Sequence, residues 1–178
     1  PERRDTFPAI ALATSYLAKE QKCNDDEVVV IMPCDVYTES KYFATIAKMV
    51  EAVENNVADL VLMGITPTYP SEKYGYVVPE STQTSESVFN NECLRVARFT
   101  EKPNEEKAKE LLKQNAFWNG GVFAFRLGYM MNIVNQYIQT ETFLEIHKRY
   151  TELPKISFDY EVAEKAESIA VVPFSGEW

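Results

Sequence analysis

The chain has 178 residues, enough for one domain of ordinary size, and its 46% apolar and 12% aromatic content allows a substantial buried core. A formal charge of −9 argues against binding a nucleic-acid backbone or an anionic membrane, both of which need a basic surface, while leaving room for a small basic pocket around one phosphate. No apolar run is long enough to span a bilayer and the opening PERRDTFPAI lacks the apolar core of a signal peptide, so the expectation is a soluble, cytoplasmic protein.

In chain order, TFPAIALATSYLAKEQ reads as a helix, with Asp5 or Thr6 available as its cap and Pro8 in the first turn, where a missing N–H costs little. DEVVVIMPCD then gives a β-branched run of the kind found in strands buried on both faces. TESKYFATIAKMVEAVENN follows as an amphipathic helix and ADLVLMGI as a second apolar strand. This β-α-β unit predicts a mostly parallel sheet with helices on its faces. TPTYPSEKYGYVVPE is rich in Pro, Tyr and Gly, and the alternation from Val88 to RFTEKP predicts a hairpin-like excursion. NEEKAKELLKQ is a short charged helix, FWNGGVFAF a strand, and LGYMMNIVNQYIQTETFLEIHKRY further helix broken near Thr140 to Thr142. SFDYEVAEKAE reads as a capped short helix and SIAVVPFSGEW as a last strand. With no repeat or linker, residues 1–178 read as a single domain.

Cys23, Cys34 and Cys93 are an odd number at unpatterned spacing, which gives neither a disulfide framework nor a zinc site. The one histidine, His147, lies in a helical pattern beside two basic residues and reads as structural or exposed. Chemistry must therefore come from other groups. In parallel α/β sheets ligands gather beyond the carboxyl ends of the strands. Asp35, just past VVVIMPC, either holds a hard cation such as Mg2+ by one oxygen or caps the next turn. Gly75, between two tyrosines, permits a tight turn or the close approach of a backbone N–H to a ligand. Glu101 and Lys102 alternate on a strand, so they serve one ligand only if the backbone bends there, as Pro103 makes plausible. Asn119, before the glycine pair of FWNGG, offers a donor and an acceptor, and the pair itself marks a bulge or a close approach. Asp159 suits either a site or the first turn of a helix.

Taken in order, RRDTFPAIALA, VVVIMPCDVY, TPTYPSEKYGYV, FTEKP, FWNGGVFAF, FDYEVAEK and VVPFSGEW resemble the sugar nucleotidyltransferases, most closely the mannose-1-phosphate guanylyltransferases, from the first residue to the last. The resemblance implies a Rossmann-like nucleotide-diphospho-sugar transferase fold that makes GDP-mannose and pyrophosphate from GTP and mannose 1-phosphate. It implies Mg2+ on Asp35, sugar contacts from Gly75, Tyr76, Glu101, Asn119 and Gly120, and a phosphate-neutralising role for Lys102. Arg4, Asp5 and Thr6 fall where the family meets guanine, and Trp118 is expected in the core. Asp5 stands where relatives commonly carry Asn, and a carboxylate can still accept from two guanine N–H groups. The family's Gly-rich loop and second metal-binding Asp have no counterpart in these residues, so the resemblance implies a fold truncated at both ends and unable to catalyse transfer by itself. Such a truncated sheet is expected to expose an edge and to self-associate as a homo-oligomer. The alternatives are a UTP- or dTTP-dependent enzyme of glucose 1-phosphate and a non-catalytic sugar-nucleotide sensor or scaffold.

Overall fold

The computed structural model describes residues 2–80 and 93–177; the start of the predicted alternation, at Val88, lies outside them. The elements in order are α1 (Thr6–Lys19), β1 (Val28–Ile31), α2 (Ser40–Glu54), β2 (Leu60–Ile65), β3 (Tyr76–Pro79), β4 (Leu94–Thr100), α3 (Glu105–Leu112), β5 (Phe117–Arg126), α4 (Leu127–Tyr137), α5 (Phe143–Lys148), a 3-10 turn (Tyr150–Glu152), a π-helical turn (Asp159–Ala163) and β6 (Ile169–Phe174). They fall into two compact units, one made of the residues up to Val29 with Phe125–Lys165, the other of Val30–Ala124 with the residues from Ala166 on.

The first unit is helical. Phe7, Ile10, Ala11, Thr14 and Ser15 repeat at helical spacing and form the buried stripe of α1, which packs on α4. Three of those side chains are small, and their hydroxyls stay satisfied: Thr14 donates to the Ile10 carbonyl at 2.9 Å and Ser15 to the Ala11 carbonyl at 2.6 Å. Burial therefore leaves no orphaned hydroxyl, because each bonds back to its own helix. The long apolar stretch breaks where it was expected to: α4 ends at Tyr137, and Thr142 caps α5 by accepting the Glu145 N–H. The last predicted helix of this unit is the five-residue π-helical turn, preceded by Phe158, whose ring stacks on Phe125 at 5.8 Å.

The second unit carries the sheet, in the order β1-β5-β2-β6-β4-β3, with β3 also pairing the start of β5. All six residues of β2 are buried, as its unbroken apolar run requires, and it pairs β6 in parallel, Leu60 opposite Ile169 and Ile65 opposite Phe174. α2 lies on β2 and β6 through Tyr42, Thr45, Met49, Ala52 and Val53, and Tyr42 meets Phe174 edge-on at 5.7 Å. The α/β class stands, and the sheet is mixed: β3–β4, β3–β5 and β4–β6 are antiparallel. The two strands of the β-α-β unit are not neighbours, because β5 lies between them. Among the described residues, no helix is long and apolar enough to cross a membrane.

Candidate active site

The excursion after β2 returns through β4 and ends in the bend that Pro103 suggested. Lys102 takes a left-handed backbone, φ 43°, which turns its ammonium back onto the preceding residue: Nζ lies 2.8 Å from Glu101 Oε1. The Glu101 side chain is 5% exposed and that of Lys102 53%, so the carboxylate is sunk and the cation stands at its mouth. Gly75 lies against the same carboxylate. A Cβ on Gly75 would run into Glu101 Oε2, come within 3.1 Å of the Phe99 ring and touch the Asn119 side chain at 3.4 Å, so a side chain here requires the carboxylate to move. The Gly75 carbonyl in turn accepts the Asn119 N–H at 2.8 Å. Thus three residues from distant segments, Gly75, Glu101 and Asn119, meet at one place, with Lys102 beside them.

Two expected members of this set do something else. The Tyr76 side chain is fully buried, and its hydroxyl is held between the Ser71 N–H, which donates to it at 2.7 Å, and the Ser71 carbonyl, 2.9 Å away. It shapes the turn before β3 rather than facing a ligand. At Gly120 a Cβ would sit 3.2 Å from Ile65 and from the Met63 carbonyl, so its smallness lets β2 come close on that side. Gly121 supplies backbone freedom instead, at φ 68°, and its N–H donates to Asn119 Oδ1 at 3.1 Å.

Beyond the carboxyl ends of β2 and β6 lies a recess of about 450 Å³, lined by Tyr37, Ile65, Thr66, Thr68 and Trp118, with Gly176 and Glu177 on the β6 side. Trp118 is 5% exposed, and the rings of Tyr69 and Tyr74 lie against it, each with its centroid 5.0 Å away. Burial raises the Tyr74 phenol above its ordinary value, with Tyr69 adding to the effect. Trp118 is thus packed, as expected, yet it also borders the recess. Sequence reasoning passed over Thr66 and Thr68, although the strand-end rule applied to β2 would have reached both.

Asp35 is exposed at the bend after β1, and no group of three or more His, Cys, Asp or Glu side chains is placed to hold a metal among the described residues. That donor set does not make a cage built from protein alone. It fits a magnesium ion, which takes one or two carboxylates and fills its octahedron with substrate phosphates and water.

In the first unit, Arg3, Arg4, Asp5 and Thr6 border a second recess, of about 470 Å³, together with Tyr150 and Lys155. The segment is tied down: Arg4 donates to the Leu153 carbonyl at 3.2 Å, and Thr6 Oγ1 accepts the Phe158 N–H at 2.8 Å. Asp5 caps α1 by accepting the Thr6 N–H at 2.8 Å, and it does so at φ 72°, ψ −173°, a conformation that glycine alone adopts without strain. Asp159 opens the π-helical turn, and His147 is exposed against Phe143.

A mixed α/β sheet with polar groups collected past its strand ends defines a nucleotidyltransferase-like fold, and solved structures bear this out. The chain belongs to the nucleotidyl transferase family, whose model matches residues 1–160. Over its whole length it is 29% identical to the alginate biosynthesis protein AlgA of Pseudomonas fluorescens and 29% identical to the mannose-1-phosphate guanylyltransferase RfbM of Salmonella typhimurium, covering 39% of each. A solved structure from Thermus thermophilus, described as a mannose-1-phosphate geranyltransferase, matches with a TM-score of 0.81 at 31% identity, over 100% of this chain and 52% of that one. A UDP-glucose pyrophosphorylase complexed with UDP-glucose shares the fold alone, with a TM-score of 0.61 at 13% identity over 99% of this chain and 56% of that one. The chain thus spans about two fifths of the length of the curated relatives it matches.

Proposed function

We propose that the protein carrying this chain transfers the guanylyl group of GTP to mannose 1-phosphate, giving GDP-mannose and pyrophosphate. The observation that carries the reading is the meeting of Gly75, Glu101 and Asn119 beside the Lys102 ammonium. A carboxylate and an amide suit sugar hydroxyls, and an ammonium suits a phosphate as a point charge. The names of the relatives support the choice of mannose 1-phosphate over other hexose phosphates.

In this reaction an oxygen of the sugar phosphate forms a bond to the α-phosphorus of GTP while the bridging bond between the α and β phosphates breaks, and the electron pair leaves with pyrophosphate. Little covalent help is needed. Holding nucleophile and leaving group in line supplies most of the rate. Glu101 and Asn119 orient the hexose by its hydroxyls. Lys102 offsets the charge of the sugar phosphate, which otherwise repels the triphosphate. Asp35 would hold Mg2+, which when bound neutralises charge on the phosphates. Arg4, Asp5 and Thr6 are assigned to the guanine base, the Asp5 carboxylate accepting from base N–H groups.

The test is pyrophosphate release by the full-length protein with each nucleoside triphosphate against mannose 1-phosphate and glucose 1-phosphate, with magnesium present. Release is expected with GTP and mannose 1-phosphate. Release with UTP or dTTP and glucose 1-phosphate instead would replace the substrates, and a folded protein that turns over no pair would remove the activity.

A further inference from the structure

We propose that Arg3 selects guanine: its guanidinium donates to the edge of the base that carries O6 and N7, and the Lys155 ammonium reinforces the same preference. This rests on the assignment of the base to the recess at the start of α1. The chain has 27 acidic residues against 18 basic ones, yet Arg3, Arg4 and Lys155 all border this one recess of about 470 Å³. Arg4 is already committed, to Glu2 at 2.7 Å and to the Leu153 carbonyl at 3.2 Å. Arg3 and Lys155 are exposed, and among the described residues neither side chain has an ion pair or a hydrogen bond. The carboxylates of the lining are engaged elsewhere, since Glu2 holds Arg4 and Asp5 Oδ1 accepts the Thr6 N–H.

The recess therefore offers donors from Arg3 and Lys155 and an acceptor from the second oxygen of Asp5. Guanine carries the complementary pattern. Its O6 and N7 are adjacent acceptors that the fork of an arginine meets bidentately, and its amino group is a donor on another edge. Adenine puts an amino group where guanine has O6, so it would turn a donor toward the two cations. A pyrimidine has no N7 to offer. Bare positive charge, in contrast, would attract any triphosphate alike, so a test must separate the reading of the base from attraction to phosphate.

Dissociation constants are measured by calorimetry on the full-length protein with magnesium for GTP, for 7-deaza-GTP, in which a C–H group replaces N7, and for inorganic triphosphate. The unaltered protein is expected to bind GTP about fivefold to tenfold more tightly than 7-deaza-GTP, and Arg3→Met is expected to abolish that preference. Lys155→Met should weaken both nucleotides, which keep O6, more than inorganic triphosphate. No preference for GTP in the unaltered protein, or a preference that survives in Arg3→Met, overturns the proposal. An equal loss for all three compounds in Arg3→Met also overturns it, because the cation would then act on phosphate charge alone. Arg3 is exposed and unpaired, so its replacement breaks no packing, and the comparison on the unaltered protein needs no variant. The two readings fail separately: a protein that releases no pyrophosphate yet prefers GTP to its 7-deaza analogue, with the preference lost in Arg3→Met, loses the reaction and keeps the Arg3 site. One that releases pyrophosphate from GTP, with the preference intact in Arg3→Met, keeps the reaction and loses the site.

Discussion

A carboxylate that is 5% exposed needs a cation or hydrogen-bond donors beside it, and Lys102, in a left-handed backbone, meets Glu101 at 2.8 Å. The geometry of this pair depends on Gly75, because any side chain there displaces the carboxylate. Gly75→Ala should therefore cost about 1–3 kcal/mol of stability and raise the KM for mannose 1-phosphate while leaving that for GTP nearly unchanged. Differential scanning calorimetry and initial rates check both, and equal effects on the two substrates would remove Gly75 from the sugar side. Asp5 stores strain in another way. Glycine in its place relieves a backbone cost of about 1–3 kcal/mol and loses only a few tenths as a helix cap. Asp5→Gly should thus raise the melting temperature by about 2–4 °C for each kcal/mol recovered while weakening GTP. A variant with tighter or unchanged GTP binding would show that the Asp5 carboxylate does not meet the base.

Elements differ in how openly the sequence announces them. α1, β1, α2 and β2 follow from apolar spacing and caps, which are local properties. The antiparallel pairings and the insertion of β5 between β1 and β2 depend on partners far along the chain, which spacing does not encode. The site shows the same division. The bend at Lys102 was readable from Pro103, whereas the neighbours of Gly120 and Tyr76 were not: the first glycine admits Ile65 and the tyrosine holds Ser71. The π-helical turn is another element whose logic is tertiary. Its Glu161 is nearly buried, accepts the Tyr137 hydroxyl and lies 2.8 Å from Lys165 Nζ. Burial, then the bond to Glu161 and its negative charge, pushes the Tyr137 phenol up to about 12 from an ordinary 10. The folded state therefore keeps this proton after the unfolded state has lost it. The contribution is complete below pH 10 and is lost as the pH rises from 10 toward 12. Urea titrations across that range should show a steeper fall for the native sequence than for Tyr137→Phe, and parallel falls would mean the phenol titrates alike in both states.

At the scale of the molecule, the strand order leaves one strand with a single partner among the described residues. β3 at one end of the order pairs both β4 and β5, whereas β1 at the other end pairs, among the described residues, β5 alone. Val28–Ile31 is an uncharged β-branched run, and all four residues are partly exposed. Edges of this composition invite another strand, since they carry unpaired backbone groups and none of the charges that usually deter pairing. A second copy is expected to supply it, against the repulsion between two chains of charge −9. Raising the salt shortens the reach of that repulsion and leaves strand pairing almost untouched. Sedimentation velocity over a wide concentration range should therefore show a monomer giving way to a dimer, and the transition should move to lower concentration as salt rises. Val30→Lys should push it upward by roughly tenfold or more while changing the melting temperature little, because the added charge is buried only in the dimer. A monomer at every concentration would dismiss the edge as an interface. Association weakened by salt would place the contact on charged side chains instead of β1.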